Sequence, residues 1–343
     1  MIATRSRKGA PGLVEVAARA GVSPATVSRY FNNPDIVKPR TQSRIAEAAT
    51  DLGYIRDRMA GALHSRFSGT IGLIVPTIDN AIFSELIEAF SERLRERERT
   101  MLIASHGYDL PLEVAIVRSL LERRIDGVVL IGFDHDSIPL EMLAQRGVPA
   151  ISAWNYRQNS ALACVGADNF AAGATVTEHL LDLGHRDIAF LFPETVSNDR
   201  ARDRLGGAQN ALKRREIEIS TQRLAVAPYD IGDAKAVAKA LLSENPPSAV
   251  VCGNDIIAQG VVYACQALGV RIPNDLSIIG IGDFRGSAHM EPGLTTLRLP
   301  ARQIGQVAAD TILEMSLSGL PPSEKRQKID STLIERGSTK NVE

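Results

Sequence analysis

Residues 13–32 read Leu13-Val14-Glu15-Val16-Ala17-Ala18-Arg19-Ala20-Gly21-Val22-Ser23-Pro24-Ala25-Thr26-Val27-Ser28-Arg29-Tyr30-Phe31-Asn32, and their punctuation decides the first domain. Apolar residues recur at helical spacing up to Ala20, where Gly21 can supply the left-handed turn that ends a helix. A second helix is predicted at once, because Ser23 is a good N-cap and Pro24 a favoured first helical residue. Val27, Tyr30 and Phe31 then face inward, while Ala25, Thr26, Ser28, Arg29 and Asn32 face out. A third helix, over about 40–52 and ended by Gly53, closes a three-helix unit. Two short helices joined by a glycine turn form a helix-turn-helix, whose second helix enters the DNA major groove. Small hydroxyl and methyl groups permit close approach to the duplex, and Arg29 can grip guanine O6 and N7 together. A plain three-helix packing module would show the same spacing, so spacing alone leaves both readings open.

Charge distribution favours the first. The chain of 343 residues has a net charge of −1, yet residues 1–68 carry eleven Lys/Arg against five Asp/Glu. A basic head on an acidic body suits a polyanionic partner. The 44% apolar and 23% charged content is that of a globular protein with room for two or three domains. No apolar run reaches the roughly 18–20 residues that span a bilayer, and no apolar stretch follows the basic first residues as a signal peptide requires. A cytoplasmic location is expected, with no membrane partner. Cys164, Cys252 and Cys265 lack any C-x-x-C spacing and read as buried, reduced thiols.

Beyond the polar stretch 64–69 the pattern changes to short apolar runs alternating with amphipathic helices. One set comprises residues 71–75, 101–104, 127–131 and 150–152, and a second 188–192, 223–226, 249–252 and 277–281. Continuous apolar strands separated by helices mean parallel sheets covered on both faces, and two sets mean two doubly wound lobes. Ligands in such sheets lie beyond the carboxyl ends of the strands. The residues there are Asn80 with Phe83, Trp154, Arg204 on a following helix, Asn254-Asp255 and Asp283, a mixture suited to a hydroxylated small molecule. Asp168, Asn169 and Asp255 read equally well as helix caps.

The segment 14–29, followed by Asn32, Val37, Thr41 and Leu52-Gly53-Tyr54, resembles the DNA-binding headpiece of the lactose-repressor/galactose-repressor (LacI/GalR) family, and the likeness continues to about Arg336. The resemblance implies an α-helical headpiece over 1–55, a hinge helix and linker over 56–69, and a two-lobed body of the periplasmic-binding-protein-like type over 70–338. The N-lobe would take about 70–164 and 296–324, the C-lobe about 165–295 and 325–338. It implies a homodimer reading a palindromic operator under control of a sugar or sugar acid between the lobes. Ser23, Pro24, Ala25, Thr26, Ser28 and Arg29 would meet or approach bases, with Asn32, Thr41 and Tyr54 beside them. In the hinge, Arg58 would contact DNA and Leu63 would enter the minor groove as a wedge that kinks the duplex. Arg56, Asp57 and Gly61 depart from the family's hinge, which is therefore expected to be costly to fold. Asn80, Phe83, Trp154, Arg204, Asn254 and Asp283 would contact effector. Gly282, where many members carry an aspartate, resembles the gluconate-repressor branch and favours a sugar acid, with Arg204 as its carboxylate partner.

Other motifs were weighed. The glycine loop 280–286 follows a strand, but Pro292 and Gly293 interrupt any helix after it, so no dinucleotide cofactor is expected. Asp134-His135-Asp136 reads as a solvated loop rather than a metal site. The run 92–99 reads as a solvated helix face. No nucleophile elbow or diagnostic Cys/His pair points to an enzyme. A solute-binding or sugar-modifying protein on the same body is the alternative, which a helix-turn-helix does not serve.

Overall fold

The computed structural model describes residues 11–55, 67–78, 81–319 and 325–342, and the side chains of all but 81–82 among them. The chain divides into two compact units, Met1–Ser68 and Gly69–Glu343.

In the first unit α1 (Leu13–Ala20), α2 (Pro24–Asn32) and α3 (Pro39–Leu52) follow one another. Gly21 and Gly53 take left-handed conformations, with φ of 63° and 62°, and end α1 and α3. The Ser23 hydroxyl caps α2 by accepting from the Thr26 N–H at 3.2 Å. Val16, Ala17, Ala20, Val27, Ile45 and Ala48 make the core, with Tyr30, Phe31 and Tyr54 packed against it. Arg44 on α3 donates to the Ala20 and Gly21 carbonyls, tying down the turn. A Cβ on Gly21 would lie 2.6 Å from that guanidinium, so the position needs glycine for its contact as well as its φ.

The second unit holds two six-stranded sheets. The first lobe contains β1 (Thr70–Val75), α4 (Ala81–Glu96), β2 (Thr100–Ser105), α5 (Leu110–Glu122), β3 (Gly127–Ile131), α6 (Ser137–Gln145), β4 (Ala150–Asn155) and β5 (Ala163–Ala167). The second contains α7 (Asn169–Asp182), β6 (Ile188–Phe192), α8 (Asp199–Arg214), β7 (Leu224–Val226), α9 (Ile231–Glu244), β8 (Ala249–Cys252), α10 (Asp255–Leu268), β9 (Ser277–Gly282) and β10 (Thr295–Arg298). The chain returns to the first lobe for α11 (Ala301–Ser318) and β11 (Arg326–Lys328), then ends its strands with β12 (Thr332–Ile334) in the second. Strand order is β11-β5-β4-β3-β1-β2 in one sheet and β12-β10-β9-β8-β6-β7 in the other, parallel except for β12. Both are doubly wound, with the order reversing between the first and third strands, which places a crevice at their carboxyl ends.

The lobe boundaries differ from those expected. β5 pairs with β4 as far as Ala167, so the first lobe runs three residues past 164. β10 pairs with β9, which keeps 296–298 in the second lobe, while β11 pairs with β5 and puts 326–328 in the first. These strands are short, and Arg326-Gln327-Lys328 has no apolar residue to announce it. The chain therefore passes between lobes three times, at 167–169, 298–301 and 328–332. All three cysteines are buried and unpaired. No described helix is long and apolar enough to cross a membrane.

Candidate functional site

The headpiece presents α2 with Ser23, Pro24, Ala25, Arg29 and Asn32 exposed and with Thr26, Ser28 and Thr41 half-buried. Small side chains organise one another there. The Ser23 and Thr26 hydroxyls lie 2.8 Å apart, and Asn32 Nδ2 donates to the Ser28 hydroxyl at 3.2 Å. Tyr54 serves the core, its ring 5.6 Å from that of Phe31. Arg58 and Leu63 lie outside the described residues, as does the rest of the expected hinge.

In the body, Trp154, next to last in β4, has φ of 79°, in the left-handed region that a tryptophan rarely adopts. It can do so because its register partner on β5 is Gly166, where a Cβ would meet the Trp154 carbonyl carbon at 2.4 Å. Phe83 lies beneath it, ring centroids 5.1 Å apart and edge to face. Asp283, with φ of 54°, is the second strained residue of the cleft; such outliers gather at functional sites and cost about 1–3 kcal/mol each. Trp154, Asp283, Phe284, Ile256, Met290 and neighbouring residues of both lobes enclose a cavity of about 210 Å³. That exceeds the roughly 150 Å³ that admits a six-membered ring.

Arg204 does not line this cavity and is fully buried. Its Nε donates to Asn169 Oδ1 at 2.7 Å and its Nη1 to the Gly253 carbonyl at 2.9 Å, while Nη2 has no partner. Among the described residues no carboxylate pairs with it, and burial draws its pKa down from the usual guanidinium value. The next residue after Gly253, Asn254, caps α10 by accepting from the Ile257 N–H at 3.0 Å, which leaves its Nδ2 without a partner. Trp154 Nε1 is also buried and unbonded. Three donors that the sequence singles out therefore share one property, the lack of an acceptor among the described residues.

Asp283 lines the cavity with its carboxylate already paired. Its two oxygens are taken by Arg298 at 2.6 Å and Arg336 at 2.7 Å, so it neutralises guanidinium groups rather than offering a free acceptor. Gly282 beside it has φ of 140°, and a Cβ there would meet the Phe284 ring at 2.4 Å. The absent aspartate thus makes room for an aromatic wall. Asn80 lies outside the described residues. Of the ambiguous positions, Asp168 is a cap, accepting from the Ala171 N–H at 2.9 Å. Asp255 is more: its buried carboxylate accepts from the Phe284 N–H and the Ser287 and Thr296 hydroxyls, holding the loop after β9 against β10. Burial pushes its pKa up, and the three donors oppose that rise.

Sequence reading missed the contacts that join the lobes. Asp199 at the start of α8 accepts from the Phe133 N–H of the other lobe at 2.8 Å, and Arg200 donates to the Ile131 carbonyl at 3.1 Å. A Cβ on Gly132 would lie 2.3 Å from the Arg200 guanidinium, so the lobes approach here at backbone distance. Arg202 makes a bidentate pair with Asp134. On the other rim Arg285 reaches across, to Glu85 and Glu88 at 3.5 and 3.4 Å. His135 corrects the solvated-loop expectation. Its side chain is 2% exposed, with Nδ1 2.9 Å from Glu113 Oε1 and Nε2 2.9 Å from the Gly132 carbonyl. Two acceptors require both ring nitrogens to carry protons. Burial opposes the charge, but these bonds outweigh it and raise the His135 pKa. The 92–99 run is also less free than expected, since Arg302 grips Glu92 and Arg93 grips Asp310.

A helix-turn-helix joined in one chain to a two-lobed, doubly wound body defines a DNA-binding transcriptional regulator. Residues 12–57 match the model for bacterial regulatory proteins of the lacI family, and residues 177–339 that for a periplasmic binding protein-like domain. The chain is 30% identical over 337 residues to the HTH-type transcriptional regulator GntR of Pseudomonas aeruginosa, covering 96% of each protein. It is 28% identical over 327 residues to the HTH-type transcriptional repressor PurR of Serratia proteamaculans, covering 94% of this chain and 95% of that one. Its structure is similar to that of the lac repressor dimer bound to operator and the anti-inducer ONPF, with a TM-score of 0.86 and 26% identity over 97% of this chain and all of that one. The chain belongs to the LacI family of bacterial regulatory proteins.

Proposed function

We propose that this regulator is a repressor whose hold on a palindromic operator is set by an acidic, oxygen-rich small molecule, a sugar acid in preference to a neutral sugar, bound between the lobes of a homodimer. One observation carries the reading: among the described residues Arg204 is buried as a cation with no carboxylate against it, held to the Gly253 carbonyl beside Asn254, and Asn254 Nδ2 and the cavity-lining Trp154 Nε1 are likewise buried donors without a partner. An isolated buried charge costs several kcal/mol, and a carboxylate at Nη2 would offset that cost. With Asp283 occupied by two arginines, the cleft is richer in donors than in acceptors. Effector would act by binding one lobe arrangement better than the other, since only differential affinity moves the equilibrium. On the headpiece, Ala25, Thr26, Ser28 and Arg29 are assigned to base edges and Asn32 and Thr41 to phosphates; Leu63 is assigned to the kink.

The test joins both halves. An operator is selected from random duplexes with the full chain, and its affinity is then measured with gluconate, other sugar acids and neutral sugars while Trp154 emission is followed. The expected result is a saturable emission change and a shift in operator affinity with an acid. Tight binding of neutral sugars with none of acids would remove the anion, and no saturable change with any of them would remove the cleft assignment.

A further inference from the structure

Between Arg204 and the lobe-to-lobe contacts runs an unbroken hydrogen-bonded chain. Asn155, the last residue of β4, donates through Nδ2 to Asp199 Oδ2 and Asp203 Oδ2, both at 2.9 Å, and both acceptors lie on α8 of the other lobe. Asn155 Oδ1 accepts from Asn169 Nδ2 at 3.0 Å, and Asn169 Oδ1 accepts from Arg204 Nε at 2.7 Å. Asn155, Asn169, Asp199 and Arg204 are all essentially without solvent exposure. The ends of this chain dictate its middle. Carboxylates only accept and a guanidinium only donates, so each amide has one permitted orientation; flipping either would set donor against donor and acceptor against acceptor.

We propose that Asn155 and Asn169 are positioning residues that make lobe closure and the placement of Arg204 a single event. Asn155 is the member of the relay contributed by the first lobe. When the lobes part, Asp199 loses both Asn155 and the Phe133 N–H, and Asn169 Nδ2 keeps only the Ala167 carbonyl at 3.3 Å. Asn169 Oδ1 is then no longer held toward Arg204 from behind. Closure restores the orientation and aims Nη2, the atom left without a partner, along one direction. The proposal rests on the reading of Arg204 as the effector contact only for its consequence; the coupling itself exists without ligand.

The relay is tested without ligand because the sole tryptophan reports on closure. Trp154 is 1% exposed in the closed cleft, so acrylamide quenching of its emission measures opening. N155D keeps the shape of the side chain but turns a carboxylate toward Asp199 and Asp203. Arg200 and Arg204 on α8, Arg157 after β4 and His135 after β3 are the other charged or titratable groups nearby. Burial and two like charges raise the introduced carboxyl's pKa, and its protonated form can again donate to α8 while accepting from Asn169. We expect N155D to shift the open-to-closed ratio about tenfold toward open at about pH 7.5 and to return to wild-type quenching at about pH 5. N155A, which adds no charge, should open the cleft less and equally at both pH values. Quenching of N155D equal to wild type at the higher pH would overturn the proposal, as would an increase that persists at the lower pH with native circular dichroism.

The link to Arg204 is read by a double-mutant cycle of N155A and R204M on the same signal. Non-additive changes are expected, and additive ones would break the relay at Asn169. A failed effector titration beside positive quenching results would remove the ligand reading and leave the relay standing.

Discussion

Replacing Arg204 with methionine separates a ligand contact from a structural arginine. In the free protein the change removes two charge-assisted hydrogen bonds, to Asn169 Oδ1 at 2.7 Å and the Gly253 carbonyl at 2.9 Å. Leaving those two acceptors buried and unsatisfied costs about 1–3 kcal/mol each. The same change also removes a buried guanidinium that has no anion, whose desolvation costs several kcal/mol, and methionine fills most of the volume. The two effects are of similar size and opposite sign, so the unfolding free energy of R204M should lie within about 2 kcal/mol of wild type. Effector binding has no such offset. Losing one partner of a buried charge pair costs about 2–5 kcal/mol, a loss in affinity of at least about thirtyfold. Urea unfolding followed by circular dichroism gives the first quantity and Trp154 titration with the responsive acid the second. A variant destabilised by more than about 4 kcal/mol that still responds to the acid would show that Arg204 holds the fold rather than the ligand.

Three further outcomes are expected. R29A should lose about 1–3 kcal/mol of operator affinity and relax one base position, which repeated selection with the variant would reveal; an unchanged site preference would remove Arg29 from base contact. G173A or G207A should destabilise the body by about 1–3 kcal/mol or more in urea unfolding, because the new Cβ would lie 1.8 Å from the Arg204 and Phe170 carbonyl oxygens respectively, forcing α7 and α8 apart; near-native stability would contradict that packing. His135 carries a raised folded-state pKa, so its stabilisation is complete below the ordinary imidazole value and is lost as pH rises through the raised one. The stability difference between wild type and H135N should therefore shrink with rising pH, and a difference that grows would refute the charged assignment.

Local signals were legible and distant pairings were not. Gly21, Ser23 and Pro24 announce the headpiece because caps and turns act within a few residues. The eight apolar runs announce eight strands, six of them buried on both faces and two, β2 and β7, at sheet edges with partly exposed residues. β5, β10, β11 and β12 lack that signal: Ala163-Cys164-Val165-Gly166-Ala167 is made largely of small residues, and β11 is wholly polar. Trp154 and Asn254 were singled out because strand ends are where a crevice must be, and Arg204 because it lies on a helix that follows one. Asp283 was likewise singled out at a strand end, but its pairing was not legible, since the arginines that hold it lie 15 and 53 residues away. Asp199, Arg200 and Asn155 look like ordinary loop and helix-start residues, and only folding brings Asn155 to Asp203, 48 positions on. His135 escaped for the same reason, its partner Glu113 being 22 residues earlier.

The three passages between the lobes bear on how such proteins diversify. The headpiece occupies one continuous stretch of chain, so a single recombination near residue 68 could give this body a different operator. No single cut could exchange a lobe. Each lobe is stitched from separated pieces, and a graft would need three matched seams, at 167–169, 298–301 and 328–332, to keep β5, β10 and β11 beside their neighbours. A new address on DNA is thus within reach of one genetic accident, whereas a reshaped cleft must be gained residue by residue.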